Sequence, residues 1–200
     1  MIKGIFFDFD GVITQEKQGT PPTIAYIAKT TGLPTETVEK AYRRHNRALL
    51  MGEVTHPEMW QPFCEELESV IDYDILKGAF LNITLDREVV DYIRELKEKY
   101  LIGMITDNKV DRIETILKEK GLEELFDVVV ISAQVHCWKT DERIFAEALK
   151  RSGLEPQECV FIDNSAQNLE VPGKMGFRTV YFDDEKRDLV ELREILKEKK

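Results

Sequence analysis

The chain has 200 residues, of which 42% are hydrophobic and 33% charged, with a formal net charge of −10 and a pI near 5.0. An acidic balance of this size argues against a dedicated nucleic-acid binder or a basic membrane-surface protein, but not against small anionic substrates, because a local cation site reverses the potential where it matters. The length suits one sizeable core with a smaller module attached or inserted. The apolar start is short and broken by Lys3, Asp8 and Asp10, so neither a signal peptide nor a membrane span is expected. Cys64, Cys137 and Cys159 have no C-x-x-C spacing, which suits reduced thiols and a cytoplasmic setting.

In chain order, Ile5 to Phe7 reads as a short buried strand, with Asp8 and Asp10 where it stops and a turn signal at Gly11. Core strands do not normally end in clustered acids. Two carboxylates held close repel each other, and a divalent cation or a proton on one of them relieves the repulsion. Thr14 to Pro22 reads as a linker, and from Pro22 to about Gly78 the pattern is helical throughout. Three helices are expected there: one through Ile24, Ile27 and Ala28, one capped by Thr35, and one over Pro57 to Val70 with Met59, Trp60 and Phe63 on one face.

Strands and helices then alternate. A helix over Asp86 to Tyr100 precedes the strand Leu101 to Ile105, which ends in Thr106-Asp107-Asn108. Val110 to Leu117 reads as a helix and Val128 to Ile131 as a strand; the helix Glu142 to Arg151 leads to the strand Cys159 to Ile162, ending in Asp163-Asn164-Ser165. The helix Gln167 to Met175, the strand Thr179 to Phe182 and an amphipathic helix through Leu189 and Leu196 follow, with the Glu and Lys run from Asp183 onward expected to be a solvated helix face. Alternation at this spacing predicts a doubly wound, mainly parallel α/β sheet of Rossmann-like type carrying an all-helical insertion. The expected division is a core of residues 1–14 and 84–200 and an insertion of residues 15–83.

Three of these strands end in polar clusters, and a parallel sheet gathers its C-terminal strand ends on one edge. Asp8 and Asp10, Thr106 and Asn108, and Asp163 are thereby expected at one site, with Lys139 close by between a strand and a helix. His45, His56 and His136 are not spaced as a metal site, and His56 and His136 are expected in surface or partly buried structural roles.

D-F-D-G-V-I-T, from Asp8 to Thr14, resembles the first motif of the haloacid dehalogenase-like hydrolase superfamily, and M-I-T-D-N, Met104 to Asn108, is similar to its second. K-T-D-E-R-I-F, Lys139 to Phe145, resembles its lysine motif with Thr140 in place of the more usual Pro, and F-I-D-N-S-A-Q-N-L, Phe161 to Leu169, its fourth. The resemblance runs from residue 5 to about 182. It implies a Mg²⁺-dependent phosphatase acting on a small phosphorylated metabolite as a monomer or homodimer, with Asp8 as nucleophile and Asp10 as general acid and base. Mg²⁺ is then held by Asp8, Asp163 and the main-chain carbonyl of Asp10, while Lys139 screens the other side; Thr106 and main-chain N–H groups near Phe9, Asp10, Asp107 and Asn108 cradle the phosphoryl oxygens. The helical insertion corresponds to a mobile cap, on which Arg43 and Arg47 are placed to meet a second phosphate or a carboxylate of the substrate.

Asn164 and Asn168 stand where the family often has a second acid, and neither adds charge for the metal. Three other functions follow from the same motifs. A dehalogenase acting at carbon is disfavoured by Asp10, a phosphomutase differs in where the phosphate goes, and a non-catalytic phospho-metabolite-binding protein is the reading that Asn164 and Asn168 support.

Overall fold

The computed structural model describes residues 1–197. Five parallel strands form one sheet: β1 (Gly4–Phe7), β2 (Leu101–Thr106), β3 (Val128–Ile131), β4 (Cys159–Asp163) and β5 (Arg178–Tyr181), in the order β3-β2-β1-β4-β5. β1 is central and every residue of it is buried, as a continuous apolar run flanked on both faces requires. Phe6 pairs with Gly103 on β2, where a Cβ would sit 2.2 Å from the Phe6 ring, so glycine is what admits the aromatic side chain. Phe6, Phe145, Phe161 and Phe177 pack edge-to-face on one side of the sheet, with Phe145 and Phe161 centroids 5.3 Å apart.

Four helices fill the stretch between the first two strands: α1 (Thr20–Thr31), α2 (Thr35–Leu50), α3 (His56–Glu66) and α4 (Ile75–Leu81). The sequence pattern gave three; α4 is a seven-residue helix that packs against α1 and against α6 of the sheet domain. Thr35 does not cap α2, since Pro34 precedes the helix and no side chain bonds to its first turn. α3 opens instead on a capping box between Thr55 and Glu58. Tyr42, Trp60 and Phe63 form the heart of this layer and run without a break into the apolar cluster that holds Ile5, Phe7 and Ile102.

The remaining helices are α5 (Arg87–Lys97), α6 (Val110–Glu119), α7 (Ser132–Val135), α8 (Glu142–Ser152), α9 (Ala166–Met175) and α10 (Val190–Lys197). Among the described residues no helix is long and apolar enough to cross a membrane. Two chain segments join the helical layer to the sheet, and they pair with each other: Thr14 bridges Leu85 antiparallel, the Gln15 N–H donates to the Thr84 carbonyl and the Asp86 N–H to that of Ile13, both at 2.9 Å.

Arg187 lies across this junction. It donates from Nε to Asp86 at 2.7 Å and from its Nη atoms to the carbonyls of Gly11, Val12 and Thr14 at 2.9–3.2 Å. The run after Asp183 is thus not only a solvated face: Arg187 and Asp184 make tertiary contacts, and Leu189 and Leu192 are buried. Its last three residues lie outside the described ones.

Candidate active site

The C-terminal ends of β1, β2 and β4 open onto a cavity of about 530 Å³ between the sheet edge and the helical layer. Asp8 leaves β1 buried, with one oxygen accepting from the Phe9 N–H at 2.7 Å. Its other oxygen lies 2.7 Å from Lys139 Nζ, which also contacts Asp163 at 2.6 Å. The Lys139 N–H donates to Asp107 at 3.0 Å, which fixes the loop that carries the lysine. The ammonium thus bridges two carboxylates, while a third, Asp107, holds the main chain of the same residue. Burial raises the Asp8 carboxyl to about 8, with Asp163 and Asp10 pushing the same way against the pull of Lys139. Burial also works against the charge on Lys139, but Asp8, Asp163 and Asp107 outweigh it and hold the ammonium above the usual lysine range.

Asp163 is fully buried and its oxygens are taken. Besides Lys139 they accept from the Ser165 N–H at 2.7 Å and from Asn168 Nδ2 at 3.2 Å. Asn164, Ser165 and Asn168, which follow β4, border the cavity; Asn164 is packed against Gly11 and lies 3.4 Å from Asp184, which also pairs with Lys17 at 2.8 Å. Gly11 holds φ +83°, and a Cβ there would strike the Asn164 amide. Among the described residues no three His, Cys, Asp or Glu side chains gather into a metal-ligand group.

Asp10 points to the other side. Arg112, from the first turn of α6, grips both its oxygens at 2.8 and 2.9 Å, and Asn108 Nδ2 adds a third bond at 2.8 Å. Arg112 Nη1 also donates to Asn108 Oδ1 at 2.9 Å, its guanidinium lies 5.8 Å from the Phe9 ring centroid, and its Nε is buried without a partner. The backbone at Gly19 covers this guanidinium so closely that a Cβ would stand 2.2 Å from its carbon. Thr106 is buried at the cavity wall beside Asn108.

Asp8, Asp10, Thr106, Asp107, Asn108 and Lys139, expected at one site from the sequence, line one cavity, and Arg43 of α2 reaches it too. Phe9 lies beneath as a buried side chain. Arg47, one turn further along α2, lies outside the lining and faces Glu53 at 3.8 Å. His56 is buried rather than at the surface, its ring between Tyr42 Oη at 2.8 Å and Asp111 of α6 at 2.7 Å, so it joins the helical layer to the sheet domain.

Sequence reading missed Lys109 and Arg112. One signal was available: cations in the first turn of a helix oppose its dipole, and a sequence that places two there, directly after a polar strand end, has another use for them.

The comparisons with known proteins bear on what this cavity does. A family model described as haloacid dehalogenase-like hydrolase matches residues 2–176. The (S)-2-haloacid dehalogenase 4A of Burkholderia cepacia is 26% identical over 108 residues, 54% of this chain and 47% of that one. The glyceraldehyde 3-phosphate phosphatase of Methanopyrus kandleri is 24% identical over 196 residues, 90% of this chain and 83% of that one. The chain spans about half the length, or less, of most of the curated relatives it matches. A HAD family enzyme from Bacteroides thetaiotaomicron, in complex with magnesium and inorganic phosphate, superposes with a TM-score of 0.78 at 18% identity, over 96% of this chain and 99% of that one. A HAD phosphatase from Thermococcus onnurineus gives 0.69 at 21% identity over 98% of both. The two solved structures share the fold, and the family model covers most of the sequence: the chain belongs to the haloacid dehalogenase-like hydrolases.

Proposed function

We propose that the chain is a Mg²⁺-dependent phosphatase that hydrolyses a small phosphorylated metabolite through an aspartyl-phosphate on Asp8. The observation that carries this reading is the division of labour between two carboxylates two residues apart: Asp8 is held by Lys139, and Asp10 by Arg112 and Asn108. Residues 15–83 act as a cap, closed over the sheet edge in this conformation.

A divalent cation suits the donors present. Lys139 Nζ stands between Asp8 and Asp163, with Asp107 on the main-chain N–H of the same residue, so carboxyl groups outnumber the cation, and Asp8 borders the cavity alongside the hard oxygens of Asn164 and Asp184. Of the expected set, Asp8 and the Asp10 main-chain carbonyl remain candidates, while Asp163 is engaged by Lys139, Ser165 and Asn168, which leaves the Asn164 amide oxygen as the β4 donor. When bound, Mg²⁺ supplies charge that lets a carboxylate approach a phosphate dianion.

Asp8 attacks phosphorus and the ester oxygen departs. Lys139 offsets charge on Asp8 and on the phosphoryl oxygens, and the Thr106 hydroxyl and Asn108 lie at the wall where those oxygens gather. Asp10 gives a proton from its carboxyl to the leaving oxygen, then takes one from the water that cleaves the Asp8 ester. Arg112 and Asn108 fix the direction in which that proton moves. The closed helical layer excludes other water from the first step.

The test is release of phosphate from p-nitrophenyl phosphate with Mg²⁺ or EDTA, for the protein and for Asp8→Asn. Metal-dependent release abolished by Asp8→Asn is expected; equal release by Asp8→Asn removes the reading. A second reading, hydrolysis at carbon, is favoured by the haloacid dehalogenase relatives. Asp10 counts against it, and halide release from a 2-haloacid in the presence of EDTA would restore it.

A further inference from the structure

Lys109 is 3% exposed, yet no carboxylate of the described residues stands within ion-pair distance of its Nζ. The ammonium donates to Thr20 Oγ1 at 2.8 Å, Thr20 Oγ1 donates to Asn46 Oδ1 at 2.9 Å, and the Tyr42 ring centroid lies 5.7 Å away. All three partners belong to the helical layer. Lys109, Thr20, Asn46 and Arg43 line the same cavity as Asp8. A buried lysine ordinarily has a counter-charge in contact with it; here the groups that touch the ammonium are a hydroxyl and an aromatic ring.

Burial pulls the Lys109 ammonium down to about 7, and the positive charges of Arg112 and Arg43 add to that, against partial support from Asp10 and Asp111. Asp10 is already committed to Arg112 and Asn108, and Asp111 to His56. Arg43 bonds Glu39 on its exposed side. Of these cations Lys109 alone is left with a neutral partner, the Thr20 hydroxyl.

We infer that Lys109, with Arg43, Thr20 and Asn46, is a subsite for a second acidic group on the substrate, so that the preferred substrates are phosphomonoesters whose leaving portion carries a carboxylate or a further phosphate. The inference rests on the phosphatase reading for the role of the Asp8 end. It is independent of Arg47, and it assigns to the sheet domain, rather than to the helical layer alone, a residue that selects the leaving group. A purely structural Lys109 would need no anion and would leave ligand preference untouched.

The test is calorimetric binding of non-hydrolysable phosphonates to the protein in Mg²⁺. The probes are ω-carboxyalkylphosphonates and alkane bisphosphonates of two to four carbons, against uncharged alkylphosphonates of matching length. The expected result is that at least one acidic probe binds about ten-fold or more tighter than its uncharged match, the better arm telling carboxylate from phosphate. In Lys109→Gln that preference falls to within about two-fold, and Lys109→Arg retains part of it. Equal affinity for charged and uncharged probes at every length, no binding of either kind, or an undiminished preference in Lys109→Gln each overturns the inference. Thermal melting of each variant confirms that it is folded. Failure of the phosphatase reading would appear separately, as p-nitrophenyl phosphate turnover that survives Asp8→Asn.

Discussion

The two ends of the cavity are unbalanced in opposite senses. Around Lys139 one ammonium meets Asp8 and Asp163, with Asp107 on its main-chain N–H; around Asp10 one carboxylate meets Arg112, with Lys109 and Arg43 close by. Buried charge left over at one place is costly. Two opposite surpluses in one cavity describe a ligand pair: a cation at one end, an anion at the other. The difference teaches that a site can be read from what its charges lack as well as from what they contact.

The largest effect is expected from Lys139→Met, which removes the cation that Asp8 and Asp163 share. Turnover of p-nitrophenyl phosphate should fall by about 10³-fold or more, and urea unfolding should show a loss of roughly 3–5 kcal/mol. The loss should be largest above pH 8 and ease as pH falls below it, where the buried Asp8 carboxyl takes up a proton. A variant as stable as the parent at pH 7 would mean that the negative surplus is not real.

Arg112→Lys comes next, because one ammonium cannot replace a fork that grips both oxygens of Asp10. A turnover loss of about 10²-fold is expected, with an altered acid limb in the pH–rate profile. An unchanged profile would detach Arg112 from proton transfer.

The negative end also sets a pH dependence of metal binding. Burial raises Asp8 from an ordinary 3.8 to about 8, so between those values the folded protein holds a proton that the unfolded chain has released. Stability from this group is present below that window and is lost as pH rises through it. In the proposed phosphatase, Mg²⁺ would take the place of the proton. The rise in Tm on adding Mg²⁺ should therefore be larger at pH 8 than at pH 5.5, and an equal rise at both would place the ion elsewhere.

The smallest change sharpens the positive end. Lys109→Met removes a buried ammonium whose folded value, about 7, lies below its ordinary 10.5. The penalty it carries is full below pH 7 and fades as pH rises toward 10, because the folded lysine is then neutral while the unfolded one is still charged. Tm should rise by a few degrees, about 1 kcal/mol for a chain of this size, and the gain should shrink by pH 10. A drop in Tm at pH 6 would show that Lys109 is a structural contact.

What could be read from the sequence followed chain locality. β1, β2 and β4 are apolar runs that end in polar clusters, and parallel pairing alone brings Asp8, Thr106 and Asp163 to one edge. Lys109 and Arg112 offered only the signal of two cations at a helix start, because their partners, Thr20 and Asp10, lie about ninety and a hundred positions away, and a lysine or arginine on a short helix is usually solvated. The saturation of Asp163 depends on Ser165 and Asn168 folding back onto it, a local turn that composition does not announce. α4 escaped because seven residues span two turns, too few to set a period.

Arg187 has a consequence for how this fold tolerates change. Its side chain recognises three main-chain carbonyls and one aspartate that opens α5, and none of these belongs to the helices between Thr20 and Leu81. The clasp is thus indifferent to what is spliced between the two joining segments. An engineer could exchange the whole helical layer for another and keep the docking point intact, so long as the chain leaves after Thr14 and returns at Asp86. In the proposed phosphatase, the same indifference would let substrate preference drift through the inserted helices while the chemistry on the sheet edge stays where it is.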